Sequence, residues 1–269
     1  MSKHDLTFCE SRLVPLIRQI ARRVKSIKYN YTLKENGSFV TDYDKVVEKA
    51  LFEGLKKLVP NADFVSEETG LIRKKGSKYA WIIDPIDGTG NMLNGYPYTI
   101  SVALLNLNTL NTMIGVVYDV QQNEVFYAVR NKGSYKKTYV VGDKHAQSKK
   151  RNKKTRLNIK NNSSTVGLIG MPYDKSKTDD IFKYARLLYK NDNLSDIKRV
   201  GPASLDICKV AEGKAKMYIE FDLELWDKAA GELILQEAGG KSFVNSKNLH
   251  MFASEVIIDK IENFNKNNL

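Results

Sequence analysis

The chain has 269 residues, 42% hydrophobic and 28% charged, with 17 Gly and 6 Pro, the balance of a globular protein rather than of a disordered, collagen-like or coiled-coil chain. Its longest apolar runs, such as Ile100–Leu105, fall short of the roughly 20 residues needed to cross a bilayer, and charges within Met1–Glu10 stand where a secretory signal needs an apolar stretch. Lys and Arg outnumber Asp and Glu by 43 to 31, and the net charge of +12 favours anionic partners without choosing among phosphorylated metabolites, nucleic acid and acidic lipid.

Leu6, Cys9, Leu13, Ile17, Ile20 and Val24 recur three or four apart, which predicts a helix over Asp5–Ile27 with Pro15 as a kink or late start. After a polar turn at Lys34–Ser38, Val46, Val47, Ala50, Leu51, Leu55 and Leu58 give a second helical stripe. Thr41 is its predicted N-cap, Thr41-x-x-Asp44 has capping-box spacing, and Pro60-Asn61 ends it. The period then changes. Asp63–Ser66, Ala80–Ile83, Thr99–Leu105, Met113–Tyr118 and Glu124–Val129 are short, rich in β-branched and aromatic residues and separated by turn formers, which predicts an antiparallel sheet with a hairpin at Gln121–Asn123. Strands follow at Val166–Ile169, Ile197–Val200 and Lys216–Glu220, with helices over Thr178–Lys190, Ala203–Ala211 and Lys228–Ala238, the last two ended by Gly213 and by Gly239-Gly240. No repeat or flexible linker interrupts this order. It predicts layered α+β or α/β lobes.

Cys9 and Cys208 are far apart and lack C-x-x-C spacing, so the expectation is neither a disulfide framework nor a zinc site, but a reducing cytoplasm. His4, His145 and His250 have no motif around them and read as surface or packing residues. Much of the positive surplus lies in Lys132–Lys160, which holds 11 Lys or Arg and one acid, Asp143. It reads either as a solvated hairpin and loop or as a polyanion-binding patch.

The chemistry concentrates in Trp81-Ile82-Ile83-Asp84-Pro85-Ile86-Asp87-Gly88-Thr89. An apolar strand delivers Asp84 at its end, Pro85 is predicted to stop the ladder, and Gly88 allows a tight turn that directs Asp87 and Thr89 into the same space. A second acidic pair, Glu67-Glu68, follows the strand Asp63–Ser66, and Asp227 opens the last helix. Carboxylates gathered at strand ends repel one another by about 4 kcal/mol for a pair 4 Å apart at an effective dielectric near 20, so a cluster needs cations. Oxygen ligands without His or Cys point to Mg²⁺ or Mn²⁺. Taken singly, Asp84 and Asp87 also suit a turn, Asp227 and Asp44 helix caps, and Glu67 a solvated charge.

Val65-Ser66-Glu67-Glu68, Asp84-Pro85-Ile86-Asp87-Gly88-Thr89 and Trp226-Asp227-Lys228-Ala229-Ala230-Gly231 together resemble the three metal-site motifs of the inositol monophosphatase family, in the same order. Further similarity runs through Val40-Thr41-x-x-Asp44, Asn91, Pro97-x-x-x-Ser101-Val102-Ala103, Gly115-Val116-Val117-Tyr118, Lys132-Gly133-Ser134 and Glu237-Ala238-Gly239-Gly240. The resemblance implies a Mg²⁺-dependent, lithium-sensitive phosphatase of layered αβαβα architecture, with a mostly antiparallel sheet in the first half and a smaller sheet in the second. It also implies a cytoplasmic homodimer with two to three metal ions and a small phosphorylated metabolite as substrate. The expected lobes are residues 1–140, with most metal ligands, and 141–269, supplying Asp227 and the substrate pocket.

Carried over by residue, Glu67, Asp84, the Ile86 carbonyl, Asp87, Thr89 and Asp227 would hold the metals. Asp44 and Thr89, with Glu67, would orient and deprotonate the attacking water. Asp87, Gly88, Thr89, Ala203, Glu220 and Asp227 would contact the substrate. Pro202 stands where the family commonly has Ser or Thr, and the basic loop Gly70–Lys78 leaves open a bisphosphorylated substrate. The expected activity is hydrolysis of inositol monophosphate or a related sugar phosphate. Fructose-1,6-bisphosphatase, 3′(2′),5′-bisphosphate nucleotidase and NADP phosphatase activities of the same family are alternatives. A further alternative is an RNA- or transcription-complex-binding regulator acting through Lys132–Lys160, since some bacterial family members assist ribosomal RNA transcription complexes.

Overall fold

The computed structural model describes residues 5–24, 30–33, 39–140, 152–161, 163–191 and 194–254. The turn expected at Lys34–Ser38, the end of the first helix through Ile27, His4, His145 and the stretch 141–151 of the basic segment lie outside these residues.

The first helical run joins α1 (Asp5–Phe8), a π-helical turn (Cys9–Leu13) and α2 (Val14–Val24). The expected disturbance at Pro15 thus falls one turn earlier. Proline has no N–H and its ring crowds the carbonyl four residues back, so the preceding turn widens and the Val14 N–H reaches back to the Cys9 carbonyl. A two-stranded ribbon that sequence periodicity did not predict, β1 (Tyr31–Leu33) with β2 (Phe39–Thr41), leads into α3 (Asp42–Leu58). Thr41 caps α3 as expected: its hydroxyl accepts from the Tyr43 and Asp44 N–H groups while Asp44 reaches back to the Thr41 N–H.

The chain then lays down β3 (Asp63–Ser66), β4 (Gly70–Ile72), β5 (Tyr79–Asp87), the short α4 (Thr89–Leu93), β6 (Thr99–Asn106), β7 (Asn111–Asp119), β8 (Glu124–Val129), β9 (Gly133–Thr138) and β10 (Lys153–Arg156). Among the described residues these form an eight-stranded sheet in the order β10-β9-β8-β7-β6-β5-β3-β4. All neighbours are antiparallel except β3 with β5. The expected loop at Gly70–Lys78 therefore begins as an edge strand. In the described part of the basic segment β9 and β10 pair antiparallel, the hairpin of the first reading. Lys136 of β9 is nearly buried between Glu124 and Glu212, at 2.7 and 2.8 Å.

The second half supplies β11 (Val166–Ile169), α5 (Thr178–Asn191), β12 (Asp196–Lys198), α6 (Ala203–Ala211), β13 (Met217–Phe221), α7 (Leu225–Glu237), β14 (Gly240–Val244) and β15 (Leu249–Ser254). The strands order as β12-β11-β13-β15-β14 in a smaller mixed sheet. Two readings shift here. The strand expected at Ile197–Val200 ends at Lys198, freeing Arg199 and Val200 for a loop, and the last helix starts at Leu225, placing Asp227 in its first turn. The hairpin of β14 and β15 was not foreseen, and His250 on β15 is buried beside Lys228, whose Nζ lies 3.4 Å from Nδ1.

Three apolar clusters hold the layers together. The π-helical turn, α2 and α3 cover one face of the large sheet through Leu13, Ile17, Leu51 and Leu55 against Trp81, Ile83 and Val102. α6 and α7 are sandwiched between the two sheets through Ile207, Val210, Leu233 and Ile234. α5 closes the outer face of the small sheet with Ile181 and Leu188 against Met217 and Ile219. The result is the expected αβαβα stack. Burying each such side chain contributes about 1.5–3 kcal/mol. At Gly115 a Cβ would stand 2.6 Å from the Ala230 carbonyl oxygen, so the missing side chain lets the α7 backbone lie directly on β7.

Candidate active site

Asp84 and Asp87 are an odd number of residues apart, and in a regular strand their side chains would point to opposite faces. The register shows how this is avoided: Asp84 pairs with Ser101 and Asp87 with Thr99, so three steps along β5 match two along β6. One extra residue bulges out where Pro85 cannot donate a ladder bond, and both carboxylates come to the same face. Pro85 therefore does not end the strand, as the sequence suggested. It offsets the ladder, which resumes at Asp87.

Glu67 enters from the adjacent turn after β3. Its N–H donates to the Ile83 carbonyl at 3.2 Å, carrying the parallel pairing one residue past the strand and setting Glu67 next to Asp84. Glu67 lines the cleft and Glu68 does not. Gly88 follows with φ 89°, and a Cβ there would lie 2.9 Å from Pro202 Cβ. The left-handed backbone and the packed proline both require glycine at this turn. It brings the Thr89 hydroxyl to Asp44, donating to Oδ1 at 2.9 Å, with the Ile86 carbonyl oxygen 3.1 Å away. Asp44 is wholly buried behind Thr89 and does not itself line the cleft. Its other oxygen is held by the Thr41 N–H at 2.7 Å and the Thr41 hydroxyl at 2.5 Å. The helix cap is thus also the support that aims Asp44 at Thr89.

The second half closes the site. The Ser204 N–H, in the first turn of α6, donates to Asp87 Oδ2 at 2.8 Å, and the Ser204 and Thr99 hydroxyls meet at 2.7 Å. Asp227 in α7 accepts from the Glu224 N–H at 2.7 Å. Glu220 on β13 accepts a hydrogen bond from the Tyr218 hydroxyl. Asp87, Asp227, Tyr218, Glu220 and Ala203 line one cleft of about 980 Å³. All ten residues picked from the sequence meet there, nine in its wall and Asp44 directly behind.

The cleft is electrostatically unsettled. Burial, then the charges of Glu67, Asp87, Asp227 and Asp44, push the Asp84 carboxyl well above the usual range. Burial and the Asp87 charge do the same to Asp227. Asp87 rises to about 6 through burial, restrained by its Ser204 hydrogen bonds, and Glu220 rises to about 8 through burial. Oδ1 of Asp84 is buried with no hydrogen-bond partner among the described residues. An orphaned carboxylate oxygen facing other carboxylates, with no imidazole or thiol in the cleft wall, fits a hard divalent cation such as Mg²⁺. Among the described residues no three Asp, Glu, His or Cys groups close on a single point; the convergence predicted from the sequence is onto one shared cleft.

Several residues of the site escaped sequence reasoning. Asp206, one turn into α6, accepts the Gly201 N–H at 3.0 Å, and Asn91, which entered only through the family resemblance and without a role, donates to the Pro97 and Val200 carbonyls at 2.9 and 3.0 Å. Together they clamp the loop Arg199–Pro202 over Gly88. The Asp206 signal was its spacing of three from Ala203, which places both on one side of a helix. Tyr96, Tyr173 and Arg199 at the cleft mouth carried no local signal.

The sequence profile of the inositol monophosphatase family matches residues 3–264. A protein of Neisseria meningitidis named "Putative Nus factor SuhB" is 39% identical over 212 residues, 77% of this chain and 74% of its own. "Nus factor SuhB" of Pasteurella multocida is 34% identical over 213 residues, 78% of this chain and 73% of its own. Among solved structures, the "extragenic suppressor protein suhB" of Bartonella henselae superposes with a TM-score of 0.74 at 29% identity, covering 95% of both chains.

Proposed function

The chain belongs to the inositol monophosphatase family, a metal-dependent phosphatase family, and from that premise we propose that it is a Mg²⁺-dependent phosphomonoesterase acting on inositol monophosphate or a related small sugar phosphate. The observation that carries the proposal is the buried set Asp84, Asp87 and Asp227 with its orphaned Asp84 oxygen. Such a set is costly in itself and is relieved by cations.

Glu67, Asp84, Asp87, Asp227 and the Ile86 carbonyl would hold two to three Mg²⁺ ions, or Mn²⁺ in their place. When bound, the metal neutralises phosphoryl charge and activates water, the chemistry that monoesters, among the slowest biological substrates to hydrolyse, demand. The remaining steps fall to the protein. Thr89, hydrogen-bonded to Asp44, positions the attacking water and passes a proton toward the buried carboxylate. Gly88 turns the backbone so that Thr89 faces the cleft, and Ala203 leaves room for the substrate ring. Glu220 exchanges hydrogen bonds with substrate hydroxyls.

The test is phosphate release at neutral pH with millimolar Mg²⁺ from inositol 1-phosphate, fructose 1,6-bisphosphate, adenosine 3′,5′-bisphosphate and NADP⁺, with EDTA and Li⁺ controls. Inositol 1-phosphate is expected to dominate and EDTA to abolish turnover. Dominance of a bisphosphate or of NADP⁺ would reassign the substrate, and no release from any would end the enzyme reading. Thr89→Ala is expected to lower kcat by about 10²-fold or more, as for other losses of proton-transfer positioning. Thr89→Ser, which keeps the hydroxyl, should recover most of it; equal loss in both would deny the hydroxyl a role. Sedimentation of the purified chain tests the homodimer that we infer from the family.

A second reading is favoured by the relatives named "Nus factor SuhB". We infer that the chain also serves a transcription complex, with the basic segment around β9 and β10 as the contact. Steeply salt-dependent binding of single-stranded RNA at low ionic strength is the expected result; absence of binding there would remove it.

A further inference from the structure

A second pocket, of about 360 Å³, lies between α2 and β9 and shares no residue with the catalytic cleft. Arg18 and Arg22 stand one helical turn apart on α2, and Lys137 and Tyr139 face them from β9 and the residues just after it. The Arg18 guanidinium stacks on the Tyr139 ring, 3.9 Å from its centre, and its Nε donates to Asn123 Oδ1 at 3.4 Å. The Lys137 ammonium lies 5.0 Å from the centre of the same ring. Arg18 is thereby held on one face by Tyr139 and on one edge by Asn123, with the Tyr118 hydroxyl a further hydrogen-bond partner, and this fixes its positive charge at the pocket wall.

Like charges are not gathered this way without cost, and the nearest acid, Glu10, relieves it only in part, through its attraction to Lys137. Glu10, at the rim, is engaged by Lys154 at 2.5 Å and by the Tyr127 hydroxyl at 2.7 Å. Among the described residues no carboxylate forms an ion pair with Arg18, Arg22 or Lys137. Two guanidinium groups four residues apart on a helix present N–H donors to one tetrahedral anion between them, and an ammonium adds a third positive charge. The volume leaves space for a phosphoryl group with a small organic body. Carboxylates surround the catalytic cleft and repel free anions, so the two sites differ in sign when no metal is bound.

We propose that this pocket is a second, non-catalytic site that binds the phosphate group of a small metabolite through Arg18, Arg22 and Lys137. The proposal does not depend on the catalytic reading. Its test is equilibrium dialysis on the full-length chain, in EDTA and again in Mg²⁺, with inorganic phosphate, glycerol 3-phosphate and a single-stranded RNA oligonucleotide as separate probes. Saturable binding in EDTA at one per chain is expected. Arg22→Ala, at an exposed position, and Arg18→Gln should each weaken it by about fivefold to tenfold, while Arg199→Ala in the catalytic cleft should leave it unchanged. Binding of inorganic phosphate as tight as the ester identifies the free ion as ligand, and tighter ester binding identifies an organic phosphate. No saturable phosphate binding, binding indifferent to both arginine substitutions, loss with Arg199→Ala instead, or binding of RNA alone would each overturn the proposal.

Discussion

Replacing Asp84 with Asn is expected to lower phosphate release by at least about three orders of magnitude while leaving the chain folded, the scale set by losing an electrostatic contact made in the transition state of a slow reaction. The substitution is isosteric, so the packing around β5 is retained. It removes one negative charge at the centre of the cleft and places an amide N–H₂ where an orphaned carboxylate oxygen now stands. An amide is a weak ligand for a hard dication. Burial already disfavours the Asp84 charge, so the metal-free Asn variant should melt at or above the metal-free parent. Mg²⁺, which stabilises the parent in proportion to its binding, should raise the variant's Tm much less. Kinetics with Mg²⁺ titrated to saturation, alongside thermal melts with and without Mg²⁺, check both halves. Retained turnover would remove Asp84 from the metal set, and an unchanged Mg²⁺ shift in Tm would do so independently.

The metal-free protein should lose stability as pH rises from about 6.5 to about 8, by on the order of 2 kcal/mol, since each unit of pKa difference is worth about 1.4 kcal/mol. Burial raises Asp206 to about 7 and Glu220 to about 8, and holds Asp84 and Asp227 well above their ordinary range. A carboxyl whose pKa is raised by folding binds its proton more tightly in the native state. Its contribution is therefore most favourable below its unfolded pKa and declines as pH climbs to the folded value. Below about 6.5 the trend is opposed by His250, which burial lowers to about 4. The folded state keeps that imidazole neutral, so stability falls as pH drops through that range. The window between about 6.5 and 8 isolates the cleft. Urea melts in EDTA across it should show the decline, and saturating Mg²⁺ should flatten it by replacing the missing countercharge. A slope of opposite sign, or one indifferent to Mg²⁺, would mean that the carboxylates are not the groups responsible.

The helical stripes of α2 and α3 and the strands β3 and β5 to β8 were legible because their periodicity is strong and turn formers separate them, whereas the three-residue edge strand β4 was read as loop. The ribbon of β1 and β2 was not, since both strands are three residues long and β1 is exposed throughout. β14 escaped for a similar reason: it is only partly buried along its length and shows no alternation. His250, read as a surface or packing residue, is a packing one, and Lys136 of the basic segment is nearly buried. What decides it is the approach in space of Glu124 and Glu212 to Lys136, and of Lys228 to His250.

The candidate site divides along the same line. The run Asp84 to Thr89 and the capping box of Thr41 and Asp44 are local: a proline that cannot donate, a glycine that can turn left-handed and a carboxylate three residues from its cap depend on neighbours in the chain. Sequence by itself therefore determined which chemical groups are present and the backbone turns that present them. Tertiary structure decided their convergence. The bonds from Thr89 to Asp44 and from Ser204 to Asp87 join residues 45 and 117 positions apart, and they form only once the entropy of closing those loops has been repaid by the apolar layers on either side. The same holds for the basic pocket, whose arginines meet Lys137 only because α2 packs against the sheet to which β9 belongs.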